Sequence, residues 1–365
     1  MSRLYRWLKT LFCIIISIMD NLIIGMPAGS LANSTRGGNL IQFLENSGFL
    51  TKGYETGGPT SFPMVKFLYG WDGRPQEFGT QLSLNEIDVA IAGDDWIEER
   101  KLELKIEYKV DINLKKILSL KRGNVRLVGI VNDSVKEKTI EDFLINFFNK
   151  NEKLITVVSE LPYMALNWIQ NKMEAAGLNE TAWSVQKYKT PPKIQKGVLI
   201  YETWGKTEAK IKNESADIGL EITQSGSALK SYGLKIIDEV YSSEAGIWVN
   251  ESILNNKIKK ELLEMFIVNL YGSINAESKV MLIFNIPSEK TEIAKAFLLR
   301  HNLYADEPTI IPGSKYAQYS IQVSTDSKDM PLAKVRYELV RHGARNIETM
   351  PLLSSIPDMT SVLNF

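Results

Sequence analysis

Short runs of consecutive apolar residues, each ending at a glycine, a proline or a polar residue, most constrain the fold of this chain. Such runs are typical of strands buried on both faces of a sheet. Segments with helical spacing of apolar residues lie between them, and this alternation predicts an α/β fold with largely parallel sheets. The predicted strands are residues 22–26, 86–93, 125–131 and 153–158, and the predicted helices are 40–44, 140–148 and 164–176.

The last quarter of the chain shows a second pattern. A segment with helical spacing at residues 253–271 precedes it. Strand and helix patterns then follow in the order β-α-β-α-β, with an extra short strand at 309–311, which predicts a small α+β module with its own core. Its predicted strands are 280–286, 319–323 and 347–353, and its helices run from 287 to about residue 300 and from 332 to 340.

Charge and residue usage exclude several kinds of site. The chain has 365 residues, enough for two or three domains, and 43 basic against 43 acidic residues. Without an excess of positive charge, we expect no binding of nucleic acid or of an anionic membrane surface. Cys13 is the single cysteine, and His301 and His342 are the two histidines. A zinc site or a catalytic histidine pair is therefore not expected.

The first residues allow two interpretations. Arg3, Arg6 and Lys9 precede an apolar run at residues 11–19, as in an export signal, but no small-residue cleavage site follows. The run is too short for a membrane span, which needs about 20 apolar residues. We predict that residues 1–19 are an N-terminal extension of a cytoplasmic protein without a stable membrane anchor; the export signal is the alternative.

Segment 217–229 has the composition of a phosphate-binding turn. A strand ends near Ile222, and a loop rich in Ser, Thr and Gly follows. Backbone N–H groups and hydroxyls in such a loop bind phosphate oxygens, and Gly226 permits close approach of the backbone. Glu221, at the carboxyl end of the strand, lies where α/β sheets bind ligands and can accept hydrogen bonds from a ribose diol. An ordinary turn is the alternative.

This segment and six others resemble the ATP phosphoribosyltransferases, in the family's order. Residues 204–210, Trp-Gly-Lys-Thr-Glu-Ala-Lys, are very close to the family's Trp-Gly-Ala-Thr-Glu-Ala-Lys, and residues 88–96 are similar to its Asp-x-Gly-Ile-Thr-Gly-x-Asp-Trp. The resemblance covers nearly all of residues 20–355. The other matching segments are 25–31 (Gly-Met-Pro-Ala-Gly-Ser-Leu), 74–77 (Arg-Pro-Gln-Glu), 159–162 (Ser-Glu-Leu-Pro) and 233–238 (Gly-Leu-Lys-Ile-Ile-Asp).

The resemblance implies a two-lobed α/β catalytic unit, similar to periplasmic binding proteins, followed by a C-terminal ferredoxin-like α+β domain. Residues 20–127 and 234–277 would form the first lobe, and residues 128–233 the second. The C-terminal domain would comprise residues 278–365 and, as in the family's long members, bind histidine as an inhibitor. The resemblance also implies a homo-oligomer, commonly a hexamer.

The implied activity joins ATP to phosphoribosyl pyrophosphate, the first step of histidine biosynthesis. Adenine N1 displaces pyrophosphate at the anomeric carbon, with Mg²⁺ on phosphate oxygens and no protein nucleophile. Glu221 is the implied catalytic residue. The implied phosphoribosyl pyrophosphate loop comprises Thr223, Gln224, Ser225, Gly226, Ser227, Ala228 and Leu229. The implied ATP-binding residues are Gly29, Ser30, Arg74, Asp95 and Glu208.

Two departures from the family's motifs remove expected contacts. The family's lysine in the first loop is Ala28 here, and Ala228 stands at a hydroxyl position, whereas Glu221 keeps the carboxylate of the commoner Asp. The alternative functions are therefore a non-catalytic paralogue or a two-lobed solute-binding protein.

For several residues the pattern alone leaves a structural interpretation open. Arg74 is equally consistent with a surface ion pair, and Asp95 with a helix N-cap. Trp204 is interpreted as a packing residue, with stacking on a ligand as the alternative. The four lysines of residues 186–197 predict a solvated loop, with a basic arm near pyrophosphate as the alternative.

Overall fold

The computed structural model describes residues 21–358 apart from 29–30, 33–37, 57–58, 151–153 and 179–180, together with residues 360, 362, 363 and 365. The predicted extension at residues 1–19 and the predicted ATP-binding residues Gly29 and Ser30 lie outside the described residues. The chain divides into two compact units. The larger one comprises the residues up to Ile41 and Thr51–Lys260, and the smaller one Gln42–Leu50 and Glu261–Phe365.

Two mixed six-stranded sheets form the larger unit. In order along the chain, their strands are β1 (Leu22–Pro27), β2 (Thr60–Ser61), β3 (Leu68–Gly73), β4 (Val89–Gly93), β5 (Leu114–Ser119), β6 (Val125–Asn132), β7 (Leu154–Ser159), β8 (Trp183–Lys187), β9 (Gly197–Glu202), β10 (Ile218–Thr223), β11 (Leu234–Ser243) and β12 (Ala245–Asn250). The first sheet has the order β2-β3-β1-β4-β12-β5 and the second β11-β6-β10-β7-β9-β8. The predicted α/β class is confirmed.

Parallel pairing is confined to the runs β3-β1-β4 and β10-β7-β9-β8. The remaining pairs are antiparallel, which corrects the expectation of largely parallel sheets. Parallel neighbours need a long crossover, usually through a helix. Here the chain passes from one sheet to the other without a helix at two points, from β5 to β6 and from β11 to β12. The strand β11 lies in the second sheet, whereas the predicted first lobe includes residues 234–277.

The helices α1 (Leu40–Asn46) and α8 (Lys257–Ala276) lie mostly in the smaller unit. The helices of the larger unit pack on its sheets and position the site. They are α2 (Pro75–Ser83), α3 (Asp94–Tyr108), α4 (Ile140–Asn149), α5 (Pro162–Ala175), α6 (Thr207–Lys212) and α7 (Ser227–Ser231). Proline suits the first position of α5 because its fixed φ is helical and its missing N–H needs no partner. Trp168 of α5 lies directly over the second sheet, where a Cβ at Gly129 would come within 2.4 Å of the indole. Residue 129 therefore has to be glycine.

The smaller unit contains an antiparallel four-stranded sheet. Its strands are β13 (Lys279–Pro287), β14 (Thr309–Ile311), β15 (Tyr316–Ser324) and β16 (Arg345–Pro351), in the order β14-β15-β13-β16, and its helices are α9 (Thr291–Arg300) and α10 (Leu332–Arg341). The buried residues beneath these helices, from Leu282 to Ala344, form one cluster. The predicted α+β module is confirmed. Within the described ranges, no helix is both long and apolar enough to cross a membrane.

Candidate active site

The predicted phosphate loop is a tight turn between β10 and α7. Gly226 caps α7 with φ +74°, a left-handed conformation that glycine adopts without a Cβ penalty. Its N–H donates to Thr223 Oγ1 at 2.9 Å, and the Ser227 N–H donates to Ser225 Oγ at 3.3 Å. The hydroxyls of Ser225 and Ser227 lie 2.9 Å apart. The turn is thus preformed, and two exposed hydroxyls project from it.

The seven predicted loop residues do not all face solvent. Gln224, Ser225, Ser227 and Ala228 are exposed, whereas the side chain of Leu229 is buried in the core of the second sheet. Only the backbone of residue 229 can therefore meet a ligand. The helix α7 begins at Ser227, within the predicted loop.

Glu221 lies beside this turn with one carboxylate oxygen unused. Its Oε1 accepts a hydrogen bond from the Ile222 N–H at 3.0 Å, and its buried Oε2 has no partner among the described residues. Burial raises the pKa of Glu221 to about 7. The Thr207 hydroxyl and the Ile222 N–H lower this pKa, while the charges of Glu208 and Glu160 raise it. A carboxylate poised in this range can bind ligand hydroxyls in its ionised form.

Three neighbouring elements bring carboxylates to this edge of the second sheet. Glu221 is on β10, Glu160 directly follows β7, and Glu208 is in the first turn of α6. Because β7, β9 and β10 are parallel, their carboxyl ends meet at one edge. Burial raises the pKa of Glu160; the Lys210 charge opposes this shift and Glu208 adds to it.

The turn after β9 presents Trp204 to solvent. Trp204 is 78% exposed, so the interpretation of this residue as a packing residue is wrong. The turn itself is fixed: the Thr203 N–H donates to the Ser159 carbonyl at 2.8 Å, and Lys210 Nζ donates to the Gly205 carbonyl at 2.6 Å. Lys187 Nζ lies 5.8 Å from the indole centroid. The lysine belongs to β8, which corrects the prediction of a loop from residue 186.

Arg74 lies in a pocket of about 320 Å³ whose walls come from both sheets. It precedes α2 and forms no ion pair with another described residue. Its other lining residues include Glu160, Thr203, Trp204 and Lys187. Cations, carboxylates and an exposed indole therefore share one pocket.

Asp95 lies in an adjacent pocket of about 240 Å³ together with Ala28 and Gln224. Gly93, not Asp95, is the N-cap of α3, so the capping interpretation of Asp95 is wrong. The backbone N–H of Asp95 donates to Ser243 Oγ at 3.1 Å, and its Oδ1 accepts from the Trp96 N–H at 3.0 Å. Burial raises the pKa of Asp95, and hydrogen bonds to its carboxylate from the Ser243 hydroxyl and the Trp96 N–H lower it. Trp96 lines both pockets, so they adjoin.

Glu99 is a buried residue of the first pocket that the sequence analysis did not identify. Its two carboxylate oxygens accept hydrogen bonds from the N–H groups of Tyr163 and Met164 at 2.9 and 2.8 Å, at the start of α5. Burial raises the pKa of Glu99 to about 8 against these hydrogen bonds. The sequence signal was available, because Asp95, Glu99 and Glu103 follow helical i,i+4 spacing and so share one face of α3.

The fold and this site define a two-sheet α/β protein with a hydroxyl-lined turn and two adjoining pockets. A family model described as ATP phosphoribosyltransferase matches residues 74–272. The chain therefore belongs to the ATP phosphoribosyltransferase family, whose members are pentosyltransferases, and the resemblance drawn from its motifs is confirmed.

Relatives match over most of the chain. The ATP phosphoribosyltransferase of Chlorobium phaeobacteroides is 26% identical over 339 residues, 90% of this chain and 97% of that protein. That of Koribacter versatilis is 29% identical over 240 residues, 66% of this chain and 68% of that protein.

Solved structures also align with the chain. One chain of the ATP phosphoribosyl transferase (HisG:HisZ) complex from Thermotoga maritima aligns with 68% of this chain and 98% of its own, at 18% identity and a TM-score of 0.48. A periplasmic sulfonate-binding protein from Methylobacillus flagellatus aligns with 68% of each chain, at 12% identity and a TM-score of 0.38.

Proposed function

We propose that this chain transfers the phosphoribosyl group of phosphoribosyl pyrophosphate to N1 of ATP, the first step of histidine biosynthesis. The bond from adenine N1 to the anomeric carbon forms as the bond from that carbon to pyrophosphate breaks. The observation that carries the proposal is the preformed hydroxyl turn at residues 223–227 beside Glu221, in a chain of this family.

The turn suits the 5′-phosphate of phosphoribosyl pyrophosphate. Residues 223–229 offer backbone N–H groups and the hydroxyls of Ser225 and Ser227, which are the donors that phosphate oxygens need. Glu221, whose side chain is only partly buried beside the turn, then accepts hydrogen bonds from the ribose diol through its carboxylate. The burial of Leu229 anchors the turn in the core of the second sheet.

ATP binding is assigned to Arg74, Asp95 and Glu208 and, as the family resemblance implies, to Gly29 and Ser30. Support comes from the position of Arg74 in the first pocket and from Asp95, which shares the second pocket with Gln224 of the phosphate loop. Reactants held in adjoining pockets gain the entropic advantage of an intramolecular reaction. No protein nucleophile is required, and charges placed around the reacting centre supply the catalysis.

A divalent cation completes the site, since ATP phosphoribosyltransferases use one. We assign it as Mg²⁺. Among the described residues, no group of three or more His, Cys, Asp or Glu side chains is arranged to hold a metal. Mg²⁺ suits such a site because it commonly uses one or two carboxylates together with substrate phosphates and water. The cation would be held mainly by substrate phosphates and water, and it would neutralise charge on pyrophosphate.

The remaining assignments follow the long members of the family. Residues 278–365 form a domain that binds histidine as an inhibitor, and the protein assembles as a homo-oligomer, as a hexamer, in the cytoplasm. The separate core of this domain supports the first assignment. Whether histidine binds there is tested by calorimetric titration of the full chain with histidine.

A non-catalytic paralogue is the second candidate, because Ala28 and Ala228 lack the functional groups usual in the family. The deciding experiment measures pyrophosphate released from ATP and phosphoribosyl pyrophosphate by the purified chain. Steady release that requires both substrates supports the enzyme. Binding of both without release would identify the paralogue, and binding of neither would refute the family's chemistry for this chain.

A further inference from the structure

Trp204 is the most exposed large hydrophobic side chain among the described residues, at 78%. A tryptophan usually buries most of its surface, because an indole in water gives up the large favourable contribution of apolar burial. This one lines a pocket instead of filling a core. Its exposure therefore requires an explanation that packing does not supply.

The backbone that carries Trp204 is well held. The preceding residue continues the pairing of β9 with β7 through the Thr203 N–H. On the other side, Lys210 Nζ donates to the carbonyls of both Gly205 and Lys206, at 2.6 and 3.2 Å. A rigid turn that projects an aromatic ring reduces the entropic cost of ligand binding to that ring.

The groups around the ring match an adenine nucleotide. Lys187 lies 5.8 Å from the indole centroid and pairs with Glu202 at 2.5 Å, and Arg74 lies across the pocket. Cations of this kind attract the triphosphate, while Glu160 and Glu202 can accept hydrogen bonds from the exocyclic amino group of adenine. Phosphoribosyl pyrophosphate has no aromatic ring and gains nothing from an indole.

We propose that Trp204 is the stacking surface for the adenine ring of ATP; this inference rests on the proposed function. Stacking uses the face of the base and leaves its edge free. The lone pair of N1 lies in the ring plane and remains available for attack on the anomeric carbon. Trp204 is thus a substrate-binding residue that selects an aromatic acceptor without contacting its reacting atom.

Calorimetric titration with ATP tests this on the full chain. Trp204→Ala is expected to bind ATP about five- to hundredfold more weakly, whereas Trp204→Phe retains most of the affinity. The affinity for phosphoribosyl pyrophosphate and the thermal midpoint should stay unchanged in both. Trp71→Ala is the matched control, since Trp71 is also exposed, at 42%, in the same unit but does not line the pocket.

Three results would overturn the inference. The first is an unchanged ATP affinity in Trp204→Ala, and the second is an equal loss of affinity for ATP and for phosphoribosyl pyrophosphate in that variant. The third is a loss of ATP affinity in Trp204→Phe as large as that in Trp204→Ala. A chain that binds ATP through Trp204 but releases no pyrophosphate would refute the proposed function alone. A wild-type chain that does not bind ATP would refute both.

Discussion

At Glu221, burial keeps a carboxylate close to half-protonated at neutral pH, with a pKa of about 7. The ionised form accepts stronger hydrogen bonds from a ribose diol than the neutral acid does. We therefore expect the affinity for phosphoribosyl pyrophosphate to rise as the pH increases through about 7 and to level off above it. In Glu221→Gln this rise should vanish. At pH 8 the variant should bind about ten- to hundredfold more weakly, the effect of losing a charge-assisted hydrogen bond of about 1.5–3 kcal/mol.

Calorimetric titrations at pH 6 and pH 8 measure this effect. The phosphates of the ligand also titrate near pH 6, so the informative quantity is the difference between wild type and variant. Glu214→Gln is the control, because Glu214 is an exposed glutamate of the same sheet region and outside both pockets. An identical pH response in the wild type and Glu221→Gln would contradict the assigned role.

Glu99 gives the fold its own dependence on pH. Its pKa of about 8 in the folded chain exceeds the ordinary value of 4.5. Between these values the folded state binds a proton that the unfolded state has lost, so the contribution of Glu99 to stability is complete below pH 4.5 and declines as the pH rises towards 8. In Glu99→Gln, the loss of unfolding free energy with rising pH should be smaller by at least about 1.4 kcal/mol, the equivalent of one pKa unit.

Urea denaturation at pH 5.5 and pH 8.5 provides the measurement for Glu99. The change in unfolding free energy between the two pH values is compared, so an overall loss of stability in the variant does not affect the result. Parallel pH profiles for wild type and Glu99→Gln would show that Glu99 is ionised throughout this range in the folded protein.

At the scale of the element, the turn from β10 to α7 depends on Gly226. Its φ of +74° is strained for a β-branched residue, and an added Cβ would lie 3.3 Å from Ile236 Cδ1. Gly226→Val should lose about 1–2 kcal/mol of stability and most of its affinity for phosphoribosyl pyrophosphate. Gly177 also has a positive φ, +68°, but has open space around it. Gly177→Val should therefore lose comparable stability and keep its affinity.

Thermal unfolding and titration of the two glycine variants separate strain from function. If both variants bind phosphoribosyl pyrophosphate equally well, the loop is an ordinary turn and its assignment fails.

Local patterns predicted most of the elements, because an apolar run or a helical stripe is recorded in neighbouring residues. Among the strands predicted in this way are the apolar strands β1 and β6 and the short strand β14. The helix α3 was not, since its inward face carries Asp95 and Glu99 instead of a continuous apolar stripe. Strand β8 was not predicted either, because its last residues belong to the lysine-rich segment 186–197, whose composition is typical of a loop.

The pairing between strands was harder to predict from the sequence than the strands themselves. One residue, Glu244, separates β11 from β12, yet the two strands belong to different sheets. Nothing in the local pattern records such a crossing, because the partners of a strand are set by distant residues. The motifs predicted the turn between β10 and α7, but the exposure of Trp204 and the burial of Glu99 depend on how helices and turns from both sheets line one pocket.

At the scale of the whole molecule, the chain has separable hydrophobic cores. The cluster of the four-stranded sheet contains only residues from 280 to 347, whereas the clusters of the second sheet lie between residues 96 and 241. Each core should therefore hold its own fold when the other is absent.

A chain that ends at residue 277 tests this separation together with the proposed regulation. It should keep its affinity for ATP and phosphoribosyl pyrophosphate within about threefold, because all proposed substrate residues precede residue 230 and a change below 1 kcal/mol is expected for an intact site. Histidine, which we expect to inhibit pyrophosphate release by the full chain, should have no effect on the shortened one. Persistent inhibition would place the histidine site in the larger unit, and loss of both substrate affinities would show that the larger unit needs the C-terminal domain to fold.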